Sequence, residues 1–408
     1  MSASNVCPWR RVALGDIFQI GSSKRVMQSD WRPQGVPFYR AREIVKLARD
    51  GFVENDLFIS EDHFQSLCES GGAPQCGDLM VSAVGTLGAC YVVREEDRFY
   101  YKDASVLLLR PKADLDPQFV RYAFLSKELL SQVEAGEGAT VGTFTIERAR
   151  KATIPFPPLD EQKRIVAALD QAFAALNRGR ANAEANLEAA ERLRQDALDA
   201  SFSTIAAQSA SVELQEAVHP DCGLSYGIVQ PGDEVDGGLP IVRPVDLTQR
   251  EIGLAGLKRI DPAAARGYSR TTLQGGEVLL CVRGSTGIVS VASQELAGAN
   301  VTRGIVPIRF DPARVLRDFA YFQFRSSLVS NQIAGKTYGA ALMQINIKDL
   351  RALRFLVPDL ETQRDIVRKS EAVLADTQAL CRSYQAQLSD IADLRQSLLQ
   401  AAFSGQLL

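Results

Sequence analysis

Two glycine-rich stretches hold side chains suited to binding. One runs Gly136-Glu137-Gly138-Ala139-Thr140-Val141-Gly142-Thr143-Phe144-Thr145. The other runs Gly335-Lys336-Thr337-Tyr338-Gly339-Ala340-Ala341-Leu342-Met343-Gln344-Ile345-Asn346. Gln and Asn can hold adenine through two hydrogen bonds, and Arg can hold guanine in the same way. Glycine lets backbone amides approach a phosphate. Cations cluster early, at Lys24, Arg25, Arg40 and Arg42, and recur at Arg243, Lys258, Arg259 and Arg283. Thr86 and Ser285 add hydroxyls in two glycine-bounded stretches that resemble each other, 85–88 and 284–287. The chemistry these types support is nucleic-acid recognition, with cations on phosphates and amides on base edges. A solvated surface and plain loops are the alternative readings. Gly284-Ser285-Thr286-Gly287 lacks a following lysine, so a turn between strands is expected there rather than a phosphate cradle.

Patterns for catalysis are missing from the sequence. There is no GxxxxGK[ST], HExxH or GxSxG, and no zinc-deaminase signature. Ile154-Pro155-Phe156-Pro157-Pro158 lacks the acid or amide of an amino-methylation motif. The two histidines, His63 and His219, do not sit at matching places in the repeat described below. Seven scattered cysteines without a CxxC pair fit reduced thiols in a cytoplasm. Cys68 and Cys76 are the nearest pair, and nothing completes a tetrahedral zinc set, so no metal is expected. A net charge of −3 argues against wholesale wrapping of nucleic acid but allows a local basic face. No apolar run reaches eighteen residues, and the first ten residues do not read as a signal peptide.

The elements that must position these residues follow from an internal repeat. Leu193-Arg194-Gln195-Asp196-Ala197-Leu198-Asp199-Ala200-Ser201-Phe202-Ser203 matches 394–404 at seven of eleven positions, at an offset of 201. Pro157, Leu159, Gln162, Ile165 and Val166 meet Pro358, Leu360, Gln363, Ile366 and Val367 at that offset. Looser matches link 77–88 with 276–287, and 36–40 with 239–243. With 408 residues, 46% apolar, the chain has room for several domains. The order globule, helix, globule, helix is expected.

Prolines and acids after 157 and 358 open the helices, and neither then contains a proline. Leu374, Thr377, Cys381, Tyr384, Leu388, Ile391 and Leu398 keep a heptad rhythm. Phe173, Leu176, Ala183, Leu187, Ala190 and Ala197 keep it in the first copy, and Arg194 and Arg395 interrupt both stripes at one equivalent place. A bland coiled-coil spacer explains such stripes equally well. In the globules, strands are expected at 78–84, 89–93 and 105–109, and at 277–282, 287–292 and 304–308, with helices at 117–133 and 317–333.

Ile154-Pro155-Phe156-Pro157-Pro158-Leu159-Asp160-Glu161-Gln162-Lys163-Arg164-Ile165 resembles the P-P-L-x-E-Q-x-x-I signature of the specificity subunits of type I restriction-modification systems. The second copy departs at Asp359 and Thr362, and Ala401-Ala402-Phe403-Ser404-Gly405-Gln406-Leu407 is similar to that family's usual ending. The resemblance covers essentially the whole chain. It implies an α+β architecture: two mixed α/β target recognition domains, at 1–156 and 206–357, separated by two long antiparallel, coiled-coil-like helices. These spacers, at 157–205 and 358–408, would relate the halves as a pseudo-twofold tandem repeat.

The resemblance further implies a non-catalytic cytoplasmic reader of a split double-stranded DNA sequence. It would dock two adenine methyltransferase subunits and be joined by restriction subunits. S-adenosylmethionine and ATP with magnesium would belong to those partners, with no cofactor in this chain. The residues expected on DNA are Lys24, Arg25, Arg40, Arg42, Thr86, Thr143, Arg243, Arg283, Ser285, Lys336, Tyr338, Gln344 and Asn346. Those expected in helix packing or partner docking are Leu159, Gln162, Ile165, Phe173, Leu176, Leu187, Leu360, Gln363, Ile366, Leu374, Leu388, Ile391 and Leu398. The competing reading is a coiled-coil scaffold without DNA readout.

Overall fold

The computed structural model describes residues 9–69, 72–135, 142–339 and 343–407. The chain divides into two compact units, 1–184 with 386–408, and 185–385. Each unit takes part of both long helices, Leu159–Ala206 and Leu360–Ser404.

In the first unit, Arg11–Ala13 pairs antiparallel with Thr153–Pro155 and brings the ends of the globule together. A four-stranded antiparallel sheet has the order Phe18–Gly21, Val106–Pro111, Leu79–Ser82, Cys90–Val92. Its central strands are near-continuous apolar runs because both faces are covered. Leu79, Val81, Leu107 and Leu109 join one core, with Phe119, Ile165 and Phe403. Met80, Val106 and Leu108 face the other, with Ile44 and Leu47 of the helix Ala41–Asp50. A smaller sheet joins Trp31–Arg32, Phe58–Ile59, Val36–Tyr39 and Tyr100–Tyr101, the last pair parallel.

The second unit repeats this plan. Ser211–Glu213 pairs with Arg354–Leu356. Val278–Cys281 lies between Val289–Ala292 and Ile305–Ile308, and Val278 and Leu280 face one core while Leu279 and Cys281 face another. Leu239–Val242 again pairs parallel, with Asn300–Val301. Divergence shows beyond it. Where the first unit has the ten-residue helix Ala41–Asp50, the second has only the turn Pro244–Asp246. Thr248, Gly253 and Gly256, poor helix formers, follow it.

Each long globular helix expected from the sequence is two helices. Pro117–Ala123 and Lys127–Glu134 break at Ser126, and Arg317–Arg325 and Ser327–Lys336 break at Ser326. Both serines are buried, and each hydroxyl donates to a carbonyl three residues earlier, at 2.7 Å. Such local bonding competes with helix continuation.

The long helices pack by the expected stripe. In the first unit they run antiparallel: Arg395 lies over the Phe173 ring at 4.3 Å, and a Cβ on Gly179 would meet Ile391 Cδ1 at 3.6 Å. Ile165 and Phe173 are buried, and Leu176 and Leu398 pack against the same core. In the second unit Ile366 is buried and Leu374 packs beside it. Leu159, Leu187, Leu360, Leu388 and Ile391 are half-buried. Gly405, at φ 76°, ends the second helix, with Gln406 N donating to Ala401 O at 2.9 Å.

Candidate nucleic-acid interface

In the second unit, the backbones of Tyr338 and Gln344 exchange two hydrogen bonds of 2.9 Å and form a narrow hairpin. Its tip, 340–342, lies outside the described residues. The hairpin is fastened to the turn after Val278–Cys281: Gly284 N donates to Met343 O at 2.8 Å, and Ile345 N donates to Val282 O at 3.0 Å. Gly284 and Gly287 have φ of 84° and 95°, which let that turn fold back. Tyr338 OH donates to Asn346 Oδ1, and Gln344 Nε2 donates to Tyr338 OH at 3.1 Å. The fold therefore brings Arg283, Ser285, Tyr338, Gln344 and Asn346 together, with Lys336 in the last turn of the preceding helix. Tyr338 and Met343 are 43% and 44% exposed. Arg283 is half-buried, and its Nε has no partner among the described residues.

Two residues of this cluster are not evident from the sequence. Tyr226 OH donates to Ile345 O at 3.0 Å. Burial raises its pKa above the usual phenol value, and the charges of Arg303 and Arg283 work against that rise. Arg303 is thus a further cation near the site, exposed in the turn 302–304. A cation beside Gly304, where the first copy has 102–104, was the available signal.

The first unit carries the same loop pair with other side chains. Val84 bridges Thr143, and Phe144 N donates to Ala83 O at 2.9 Å. Thr86 and Thr143 are exposed on it. Arg148 Nη1 donates to Thr143 O at 2.6 Å and lies over Phe144. The glycine-rich residues 136–141 lie outside the described residues.

The remaining cations differ in state. Lys24 and Arg25 are exposed and meet no carboxylate among the described residues. Arg40 pairs with Glu43 at 3.1 Å and Asp56 at 3.0 Å, and Arg42 pairs with both acids. Arg243 repeats the first motif, pairing with Asp246 at 2.8 Å. Both Arg40 and Arg243 also donate their backbone N–H to the acid three residues on. These three arginines thus fasten local structure.

Gln162 and Gln363 are fully buried at the starts of the long helices. Gln162 accepts from Asp116 N at 3.0 Å and donates to Pro157 O at 2.9 Å. Gln363 accepts from Leu316 N at 2.7 Å and donates to Pro358 O and Arg314 O, each at 2.8 Å. The amide of each repeated motif clasps its own globule. Among the described residues no group of three or more His, Cys, Asp or Glu could hold a metal, and no helix is long and apolar enough to cross a membrane.

Comparison with known proteins agrees with this architecture. Residues 7–186 match the type I restriction modification DNA specificity domain. The chain is 22% identical over 424 aligned positions to the type I restriction enzyme EcoBI specificity subunit of Escherichia coli, covering 98% of this chain and 86% of that protein. A chain from a structural study of complex assembly and conformational transition of the type I R-M system superposes with a TM-score of 0.75 at 19% identity, covering 98% of this chain and 99% of that one. The HsdS subunit from Thermoanaerobacter tengcongensis gives 0.56 at 19% identity, covering 98% and 97%. Motif, repeat, fold and these likenesses point one way: residues 7–186 carry the DNA specificity domain of type I restriction-modification systems, and the chain is similar along nearly its whole length to a specificity subunit of such a system.

Proposed function

We propose that this chain is the non-catalytic, cytoplasmic DNA-reading subunit of such a system. Its two target recognition domains, 1–156 and 206–357, each read one block of a split duplex sequence. Its helical spacers, 157–205 and 358–408, dock two adenine methyltransferase subunits, which bring S-adenosylmethionine. Restriction subunits supply ATP-driven translocation with magnesium. The observation that carries this reading is the loop pair common to both units, 84–86 with 143 and 283–285 with 344, on one framework but with different side chains. A shared frame with diverged tips suits two different half-sequences. In the second unit the loop pair offers a guanidinium, Arg283, and two carboxamides, Gln344 and Asn346, the groups that distinguish guanine and adenine in the major groove. Exposed Lys24 and Arg25 suit phosphate contacts, which position without specifying.

The test is a mobility shift with the assembled methyltransferase complex. Gln344→Ala is expected to weaken binding to the cognate duplex about tenfold, on the order of 1–3 kcal/mol for one lost bidentate contact. Binding to unrelated duplex should stay unchanged. The scaffold reading, which the helical stripe also fits, predicts no sequence-selective shift at all. Methyl transfer by the chain alone would contradict the proposal.

A further inference from the structure

The second unit holds a polar slot where the first is packed with apolar groups. In the first unit, Arg395 lies over the Phe173 ring, and Tyr122 meets that ring edge-on at 5.4 Å. Leu169 is buried beside them, and Leu125 packs on the same core. Shifted by 200 or 201 residues, the equivalents of Arg395, Phe173, Leu169 and Leu125 are Arg194, Leu374, Ser370 and Arg325. A shorter side chain replaces the ring, a hydroxyl replaces one leucine and a guanidinium the other. The result is a cavity of about 30 Å³ lined by Arg194, Arg325, Ser370, Leu374 and Phe322. It adjoins an open cleft of about 560 Å³ that shares Arg194, Arg325 and Leu374.

The slot is short of anionic partners for its cations. Among the described residues neither Arg194 nor Arg325 meets a carboxylate; Arg325 Nη1 donates only to Tyr321 OH, at 2.5 Å. Lys369, also lining the slot, is paired with Asp365 at 2.6 Å. The nearby Asp199 is occupied, accepting from Ser327 N at 2.6 Å and Oγ at 2.5 Å, and from Gln195 at 3.2 Å. Ser370 is only 7% exposed, and its Oγ has no partner among the described residues. A buried hydroxyl without a partner is costly, and a water could answer it. Water would not balance two guanidinium groups; an oxyanion answers all three donors.

We propose that this slot binds the phosphate group of a small ligand, inorganic phosphate or a phosphomonoester, through Arg194, Arg325 and Ser370. A terminal phosphate presents three oxygens to a narrow opening. A phosphodiester has only two unesterified oxygens and so offers the three donors one acceptor fewer. The site is separate from the DNA-reading loops, so it stands or falls independently of them.

Isothermal titration of the purified full chain with inorganic phosphate, at fixed ionic strength, tests the proposal. One saturable site per chain is expected. Leu374→Phe and Arg325→Leu, which install the first unit's residues, should each weaken binding at least tenfold. Ser370→Ala should weaken it several-fold while leaving stability unchanged or higher, which keeps the test valid if a larger change disturbs folding. No saturable heat with the unaltered chain, or equal affinity in all folded variants, would overturn it. Added duplex DNA should not displace phosphate; displacement by any duplex would move the phosphate source to the DNA backbone and overturn the small-ligand assignment.

Discussion

Single side chains in this molecule work mostly as clasps. Gln363 satisfies a backbone N–H and two carbonyls from within the core. Gln363→Ala leaves those groups unpaired, and each such group costs about 1–3 kcal/mol before water relieves it. A loss of about 2–4 kcal/mol in denaturant titration is therefore expected, and a smaller one for Gln162→Ala, which frees two groups. The glutamine was conspicuous in the motif, yet its partners, 47 and 49 residues away, were not legible there. The same holds for Arg40, Arg42 and Arg243: sequence displays a cation but not the acid folded against it. Glu43 shows the consequence. Burial works to raise its carboxyl pKa, but hydrogen bonds from Arg40 and Arg42 outweigh burial and hold it below the usual range. A depressed folded pKa stabilises the fold at pH above the unfolded value, about 4.3. That contribution is lost as pH falls through the folded pKa. Glu43→Gln should thus be less stable than the unaltered chain at pH 7, with the gap closing below about pH 4 in denaturant melts.

At the scale of elements, the strands were the most legible part. Val278–Cys281 and Leu79–Ser82 are apolar runs bounded by glycine and acid, and burial on both faces leaves no alternation to confuse them. The breaks at Ser126 and Ser326 were not legible, because a serine is equally at home inside a helix or capping one. The heptad stripes announced two long helices that need partners, but a stripe carries no address. It did not say that Gly179 would stand opposite Ile391. That contact leaves room for a methyl group at ordinary van der Waals distance. Gly179→Ala should raise stability by about 0.5–1 kcal/mol, the usual gain for alanine over glycine in a helix interior. A thermal melt showing destabilisation would mean that this stretch is bent or crowded. The hairpin closed by Tyr338 and Gln344 was foreseen only as a glycine-rich loop. Its anchoring on Gly284 is a long-range pairing that composition does not encode.

For the whole molecule, the account rests on two units built on one plan with unlike tips. The repeat was legible because the duplicated helices keep the motif at their starts and the Leu-Arg-Gln run near their ends without a gap, while the globules match only loosely. What each tip binds was not legible, since base readout depends on which side chains enter a groove and how the duplex bends. The most direct measurement is a genome-wide map of methylated adenine in cells with and without this gene. The account predicts that one motif disappears with the gene: two short specified blocks separated by unspecified bases, their centres roughly 10 bp apart. It also predicts that Gln344→Ala relaxes one block and leaves the other intact. An unchanged methylation map, or a lost motif that is a single uninterrupted sequence, would contradict it.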